Sequence, residues 1–411
     1  MPILLEEDLQ RPLPRMYRVR QQFDETRLED VAGTVRAELA KPEIRALVKP
    51  GMRIAVGVGS RGIQNLYTIV ETTVNSLKEL GAEPFIVSAM GSHGGGTEEG
   101  QREVLAGYGI TEERLGVPVV TTVDTVYLGN CANGRPVWFD RAAYEADLIV
   151  PINRVKLHTD FVGPIQSGLC KMLVIGLGNH KGCSAVHEEA PEVFADAIEE
   201  TARLILQKAP VGFGIAILEN AYDKTYAVEA VPAEHLVERE KELVQIAKGN
   251  MPYIMLDEAD VIVCGAIGKD ISGAGFDPNI LGRSSVLKQF VLHIPRYQRL
   301  VLCDVTPASH GNGIGVGLFD VITKKVAEQL DLESMYANAI ACNCLGDASV
   351  PCTVDDEETA IRVALKCCRN IDRDHPRIIR IQNTLHLGEI EVSEALLDAV
   401  RADSRMSLIE N

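Results

Sequence analysis

Apolar positions in this chain fall into short unbroken runs separated by helix-period stretches, and that rhythm predicts its elements. RIAVGV (53–58) reads as a buried strand, because small and β-branched residues follow one another without polar interruption. A helix-period segment spans 63–80, with Gly81 as its stop. EPFIVSAM (83–90) is the next strand, and after GSHGGG a second helix opens. Thr97 is its N-cap, and Glu98 and Glu99 make an acidic first turn. Further buried-strand candidates are DLIVPI (147–152), GFGIAIL (212–218), DVIVCGA (260–266), LVLCDV (300–305) and RIIRI (377–381). Pro191 and Pro232 mark the first turns of two later helices, and Gly249 the end of the second.

Strand, loop and helix alternate throughout. This predicts an α/β protein of two α/β domains, with mainly parallel sheets and a ligand cleft between the domains. The boundary falls at GNMPYIMLDEAD (249–260), where a charged helix ends and a fresh strand begins. The expected domains are therefore 1–255, carrying the chemistry, and 256–411, closing over a substrate.

Composition narrows the class. The 411 residues are 46% hydrophobic and 24% charged, enough for a large core and too apolar for disorder. A balance of 41 basic against 58 acidic residues gives a net charge of −17. Such a field repels phosphate backbones, so no nucleic acid is expected as a partner, and an anionic substrate needs local cations. No apolar run approaches the ~20 residues that span a bilayer. The start, MPILLEEDLQRP, has acids where a signal peptide carries bases. A cytoplasmic protein with no membrane contact is expected. The ten cysteines include no C-x-x-C, and neither Cys342/Cys344 nor Cys367/Cys368 has a zinc-pair spacing, so reduced thiols are expected.

Three segments carry candidate chemistry. GVGSRG (57–62) fits G-x-G-x-x-G between a strand and a helix. It is open to two readings, a dinucleotide site and a tight turn; the following strand brings no Asp or Glu to its tip for a ribose. Arg61 stands where a helix N-terminus would help it hold an anion. His93 lies in GSHGGG (91–96), a glycine-rich loop at a strand's carboxyl end, where α/β sites form. The stretch 153–189 holds His158, His180 and His187, three of only nine histidines. Within it Lys171 interrupts the apolar run GLC-K-MLVIGLG. A buried ammonium is costly unless paired, and a lysine there tends to shed its proton and become a nucleophile; the alternative is a side chain that snorkels to the surface. Zinc on His93, His158 and His187 competes, without the usual tight spacing. A serine hydrolase has no G-x-S-x-G. In the second half, Lys269 and Arg283 could supply cations for an anion.

Taken jointly, these residues resemble the nickel-pincer lactate racemase family. Arg61 matches that family's arginine, and His93 in SHGGGTEEG its loop histidine. His158 matches the next histidine, Lys171 the cofactor lysine, and His187, sixteen positions on, the nickel ligand. Val58 stands at the family's aspartate, and Gly168-Leu169-Cys170-Lys171 replaces Gly-Gly-Ala-Lys. Leu281, Gly282 and Ser285 occupy the places of the substrate tyrosine, glutamine and lysine, and the only tryptophan is Trp138, in the first half.

The resemblance implies an isomerase, a racemase or epimerase of a 2-hydroxy acid such as lactate or malate. It implies nickel and a pyridinium bis-thiocarboxylate mononucleotide attached through Lys171, with Ser60 and Arg61 at the cofactor. His187 would complete a square-planar nickel, which suits sulfur and imidazole. Hydride would pass from Cα to the pyridinium ring, through a 2-oxo acid, with His93 and His158 as acid and base. Arg61, Lys269 and Arg283 would hold the substrate, and cofactor-maturation proteins would be partners. Two other readings stay open: an NAD(P)-dependent 2-hydroxyacid dehydrogenase, and a non-catalytic ligand- or cofactor-binding protein.

Overall fold

A computed structural model describes residues 4–60 and 62–410. The chain forms two compact units, one of Glu25–Met251 and one built from Pro252 onward together with the segment up to Asp24. That segment, placed by the sequence in the first domain, carries β1 (Met16–Gln21), described with the second unit below.

In the larger unit the strands are β2 (Arg53–Val58), β3 (Glu83–Ser88) and β4 (Val119–Val120), then a hairpin of β5 (Thr125–Asn130) and β6 (Pro136–Asp140). They continue with β7 (Leu148–Arg154), β8 (Phe213–Glu219) and β9 (Thr225–Pro232). The main sheet runs β4-β3-β2-β7-β8-β9, parallel except for β9 at the edge. Its central strands are the predicted apolar runs, buried on both faces as parallel strands require. α1 (Leu66–Glu79) begins later than the pattern predicts, because Asn65 adopts a left-handed conformation (φ 60°) that ends the turn from β2. α2 (Glu98–Gly107) starts as expected, with the Thr97 hydroxyl accepting from Gly100 N–H at 3.1 Å. Pro232 opens no helix. It ends β9, whose edge position tolerates the missing N–H, and the helix that follows starts at Leu236.

The second unit holds β10 (Val261–Cys264), β11 (Arg299–Leu302), β12 (Val321–Thr323), β13 (Cys352–Val354), β14 (Ile378–Ile381), β15 (Glu389–Ser393) and β16 (Met406–Leu408). Their order is β13-β12-β11-β10-β14-β15-β1-β16. The first five are parallel, and β15, β1 and β16 add antiparallel ladders. β1 thus sits inside this sheet, with buried Val19 and Gln21 alternating with exposed Arg18 and Arg20. Gln21 is satisfied there, donating to Leu387 O and accepting from Met255 N–H. All ten cysteines are free thiols. Among the described residues no helix is long and apolar enough to cross a membrane.

Candidate functional site

Because β2, β3 and β7 are parallel neighbours, their carboxyl ends lie side by side. The chain leaving them carries Ser60, His93 and His158 respectively, at the place where open α/β sheets form sites. Arg61 lies outside the described residues. Val58, at the family's aspartate position, closes β2 with 0% exposure and belongs to the hydrophobic core.

The histidine loop after β3 is held from both sides. Gly91 has φ +60°, and a Cβ there would lie 2.9 Å from Ile175 O, so the loop needs glycine to approach that backbone. Buried Gln101 on α2 donates to Gly91 O at 3.0 Å and accepts from Ser88 Oγ at 2.6 Å. His93 Nδ1 is hydrogen-bonded to Ser60 Oγ, and Tyr108 OH donates to Ser60 O at 2.9 Å. The ends of β2 and β3 are thereby tied together.

Lys171 stands on α3 (Leu169–Lys171), which runs into a π-turn at Met172–Gly176 and then into α4 (Asn179–His187). π-turns recur at functional sites. The first turn has no cap of its own. The carboxylate of Glu240, on α6 (Leu236–Asn250), fills that role after α5 (Phe194–Lys208) has crossed the unit. Glu240 Oε2 accepts from Cys170 N–H at 2.9 Å. Its side chain is fully buried, and burial pushes the carboxyl up to about 7 against the opposing pull of the Cys170 and Leu169 N–H groups. Oε1 has no hydrogen-bond partner.

This geometry brings the half-buried Lys171 amine 2.5 Å from His158 Nε2. His158 is fixed by its backbone N–H to Gln166 Oε1 (2.7 Å), by Asp160 N–H to its Nδ1 (3.1 Å), and by stacking on Phe161 at 4.2 Å. Phe161 packs on Phe194, and Phe194 meets the His187 ring edge-on at 5.1 Å, so an aromatic chain links the two histidines. At the end of α4, His187 Nδ1 donates to Cys183 O at 2.7 Å and lies 3.5 Å from Cys183 Sγ. Burial works against an imidazolium at His187. The Cys183 sulfur outweighs it and raises the histidine above its ordinary value, while a charge on Lys171 opposes. Burial likewise works against the Cys183 thiolate, but His187 lowers that thiol overall.

The structure therefore gathers Lys171, His158 and His187 and couples Ser60 with His93. The three histidines of the zinc reading each engage a different neighbour, and among the described residues no three His, Cys, Asp or Glu groups converge as a metal cage. Lys269 and Arg283 belong to the second unit. Lys269 Nζ donates to Gly273 O at 2.7 Å and to Asn338 Oδ1. Arg283 pairs with Asp320 at 2.7 Å and donates to Leu318 O at 2.9 Å.

Three residues that hold the candidate site escaped the sequence reading, yet each had a signal. Cys183 is one helical turn before His187. Gln101 and Glu240 occupy buried stripes, with Leu105 and with Leu236 and Val244.

Residues 11–196 match the family model of the lactate racemase N-terminal domain. The structure is similar to that of the lactate racemase apoprotein from Thermoanaerobacterium thermosaccharolyticum, with a TM-score of 0.53 at 14% identity, over 89% of this chain and 93% of that one. A structural-genomics crystal structure of a protein from Thermotoga maritima is similar with a TM-score of 0.50 at 13% identity, over 80% and 85% of the two chains. No curated protein matches by sequence. At such identities the solved structures speak for the mixed α/β fold alone. The matched domain spans Ser60, His93, His158, Lys171 and His187, and its family gives the chain a racemase-related character. Over residues 11–196 the chain matches the lactate racemase N-terminal domain, and this match supports a lactate racemase homologue.

Proposed function

We propose that this chain is an isomerase, a racemase or epimerase of a 2-hydroxy acid, working with nickel and a pincer-type pyridinium mononucleotide held on Lys171. The observation that carries this reading is the half-buried Lys171 amine in contact with His158 and within electrostatic reach of His187.

The residues fit such a group. Lys171 offers a nitrogen for covalent attachment. With His187 Nδ1–H committed to the Cys183 carbonyl, Nε2 is the ring nitrogen that presents a lone pair to a metal. His187 would be this chain's imidazole for nickel bound together with such a cofactor. When bound, the group would supply an electron-poor ring able to take the electrons of the substrate's Cα–H bond.

The chain's own residues supply the rest. His158 and His93 exchange the substrate hydroxyl proton, a task that suits the imidazole group as both acid and base. Two enantiomers present that hydroxyl from opposite sides, hence two bases on two loops. Phe161 and Phe194, both buried, keep water from the His158–His187 side. Lactate and malate remain the substrate candidates, with Arg61 as the carboxylate partner in this unit. A nicotinamide site is less supported. The helix after β2 starts only at Leu66, and β3 ends in Ser88, bonded to Gln101, with no carboxylate for a ribose.

The test uses protein produced with its maturation partners and loaded with nickel, offered single enantiomers of lactate and malate. Optical inversion without added NAD(P) is expected. His93→Ala and His158→Ala should each lower kcat by about 10²–10⁴-fold. Stoichiometric NAD(P) reduction, or binding without turnover at full nickel load, would contradict the proposal.

A further inference from the structure

The hydrogen bonds around His158 assign a charge state to Lys171. A neutral imidazole has one N–H and one lone-pair nitrogen. His158 Nδ1 accepts from Asp160 N–H at 3.1 Å, so the proton sits on Nε2. Nε2 lies 2.5 Å from Lys171 Nζ. An ammonium has three donors and no acceptor, so it cannot receive that proton, whereas an uncharged amine has the lone pair the contact needs. The other tautomer would suit an ammonium but would set an imidazole N–H against the Asp160 N–H. The Asp160 carboxylate, 4.0 Å from Nδ1, is too far to draw a proton there by hydrogen bonding.

We infer that Lys171 stands as an uncharged amine, hydrogen-bonded by His158 Nε2–H, before any cofactor is attached, so that His158 has a second role in priming the lysine as a nucleophile. The surroundings favour the same state. Leu169, Cys170 and Met172 around the lysine are buried, and burial disfavours a charge. The charged groups that act on the adjacent, buried Cys170 include Glu240 on α6 and Glu199 and Arg203 on α5. Asp160 approaches from the loop after β7.

The consequence is an order of events. When the amine attacks an activated acyl carbon, the C–N bond forms, the leaving group departs with its electron pair, and the surplus N–H proton passes to solvent. The product amide nitrogen has a delocalised lone pair and no longer accepts from His158. Attachment therefore frees the His158 Nε2–H as a proton donor toward the substrate oxygen. That last step rests on the proposed racemase reading; the amine's charge state does not.

The full-length, cofactor-free chain can be treated with substoichiometric N-hydroxysuccinimide acetate and each lysine followed by peptide mass spectrometry. Lys324, with a side chain 61% exposed, serves as reference. Around pH 7, Lys171 should acetylate at least about tenfold faster than Lys324 despite lower exposure, and its rate should stay nearly flat to about pH 9. Lys324 should gain about tenfold per pH unit over that range. His158→Gln offers an amide oxygen that can pair with an ammonium, so Lys171 should lose its advantage and regain ordinary pH dependence. Two outcomes overturn the inference: wild-type Lys171 following the Lys324 profile, or a folded His158→Gln chain whose Lys171 is unchanged. The wild-type profile decides by itself if that variant does not fold. A flat Lys171 profile in a chain that inverts no hydroxy acid would sink the racemase reading alone. An ordinary profile in an active enzyme would sink this inference alone.

Discussion

His187, the side chain proposed to take the metal, is held by its own helix. The Cys183 carbonyl takes its Nδ1 proton, fixing both tautomer and ring angle, and the neighbouring sulfur lies close enough to bias its charge. Because the orienting group is backbone, changing Cys183 should leave the ring aimed. Nickel content by elemental analysis should fall to background in His187→Ala and stay near that of the unaltered protein in Cys183→Ser. Loss of nickel in Cys183→Ser as complete as in His187→Ala would move the metal contact to the thiol. At this scale much of the site was readable. Lys171 broke an apolar run, and His93 sat in a loop no core would use. Cys183 was harder, since its meaning depends on a helix that the sequence did not delimit. Lys269 and Arg283 looked like free cations only because Asn338 and Asp320, their partners, lie far along the chain.

The segment 168–187 is where element and chemistry meet. MLVIGLG has no period that separates a buried helix from a strand. What makes it helical is distant: the Glu240 carboxylate receives the first N–H groups, and Asn153 Nδ2 donates to Gly168 O at 2.8 Å. Gly168 is needed there because a Cβ would sit 2.5 Å from the Glu240 carboxyl carbon. Gly168→Ala should therefore lower stability by about 1–3 kcal/mol in urea unfolding. It should also slow Lys171 acetylation, since the turn carrying the lysine must shift. Gly107→Ala at the end of α2, where a Cβ meets nothing within 4 Å, should be neutral or stabilise by up to about 1 kcal/mol. Equal effects at the two positions would mean that Glu240 does not constrain the lysine turn. The regular elements were easier to foresee, because parallel strands such as β2 and β10 are unbroken apolar runs. β1 was missed because MYRVRQ alternates and finds its partners, β15 and β16, more than 360 residues later.

For the molecule as a whole, the chain passes between its two units twice, because β1 lies between β15 and β16. A fragment of residues 252–411 leaves β16 without a neighbouring strand. It should show weaker amide protection than the same fragment supplied with a peptide of residues 4–24; equal protection would contradict the sheet order. Stability should also depend on pH in a defined direction. Burial raises Asp140 to about 6 from 3.8 and Glu240 to about 7 from 4.5, against the hydrogen bonds they accept. Between the unfolded and folded values the native chain holds protons that the unfolded chain has released, so stability falls as pH rises. Urea unfolding of the cofactor-free chain should show a decline between about pH 4 and 7 of order 2–3 kcal/mol per group. Glu240→Gln should flatten its share, and a stability that rises over this range would refute the assignment.

The central claim, a cofactor carried on Lys171 with nickel at His187, is tested most directly by mass spectrometry of the Lys171 peptide from protein produced with its maturation partners. The account predicts an added pyridinium-nucleotide mass on Lys171 in material that contains nickel, absent from Lys171→Ala. An unmodified Lys171 peptide in nickel-free material, made alongside a lactate racemase that does become loaded, would contradict it.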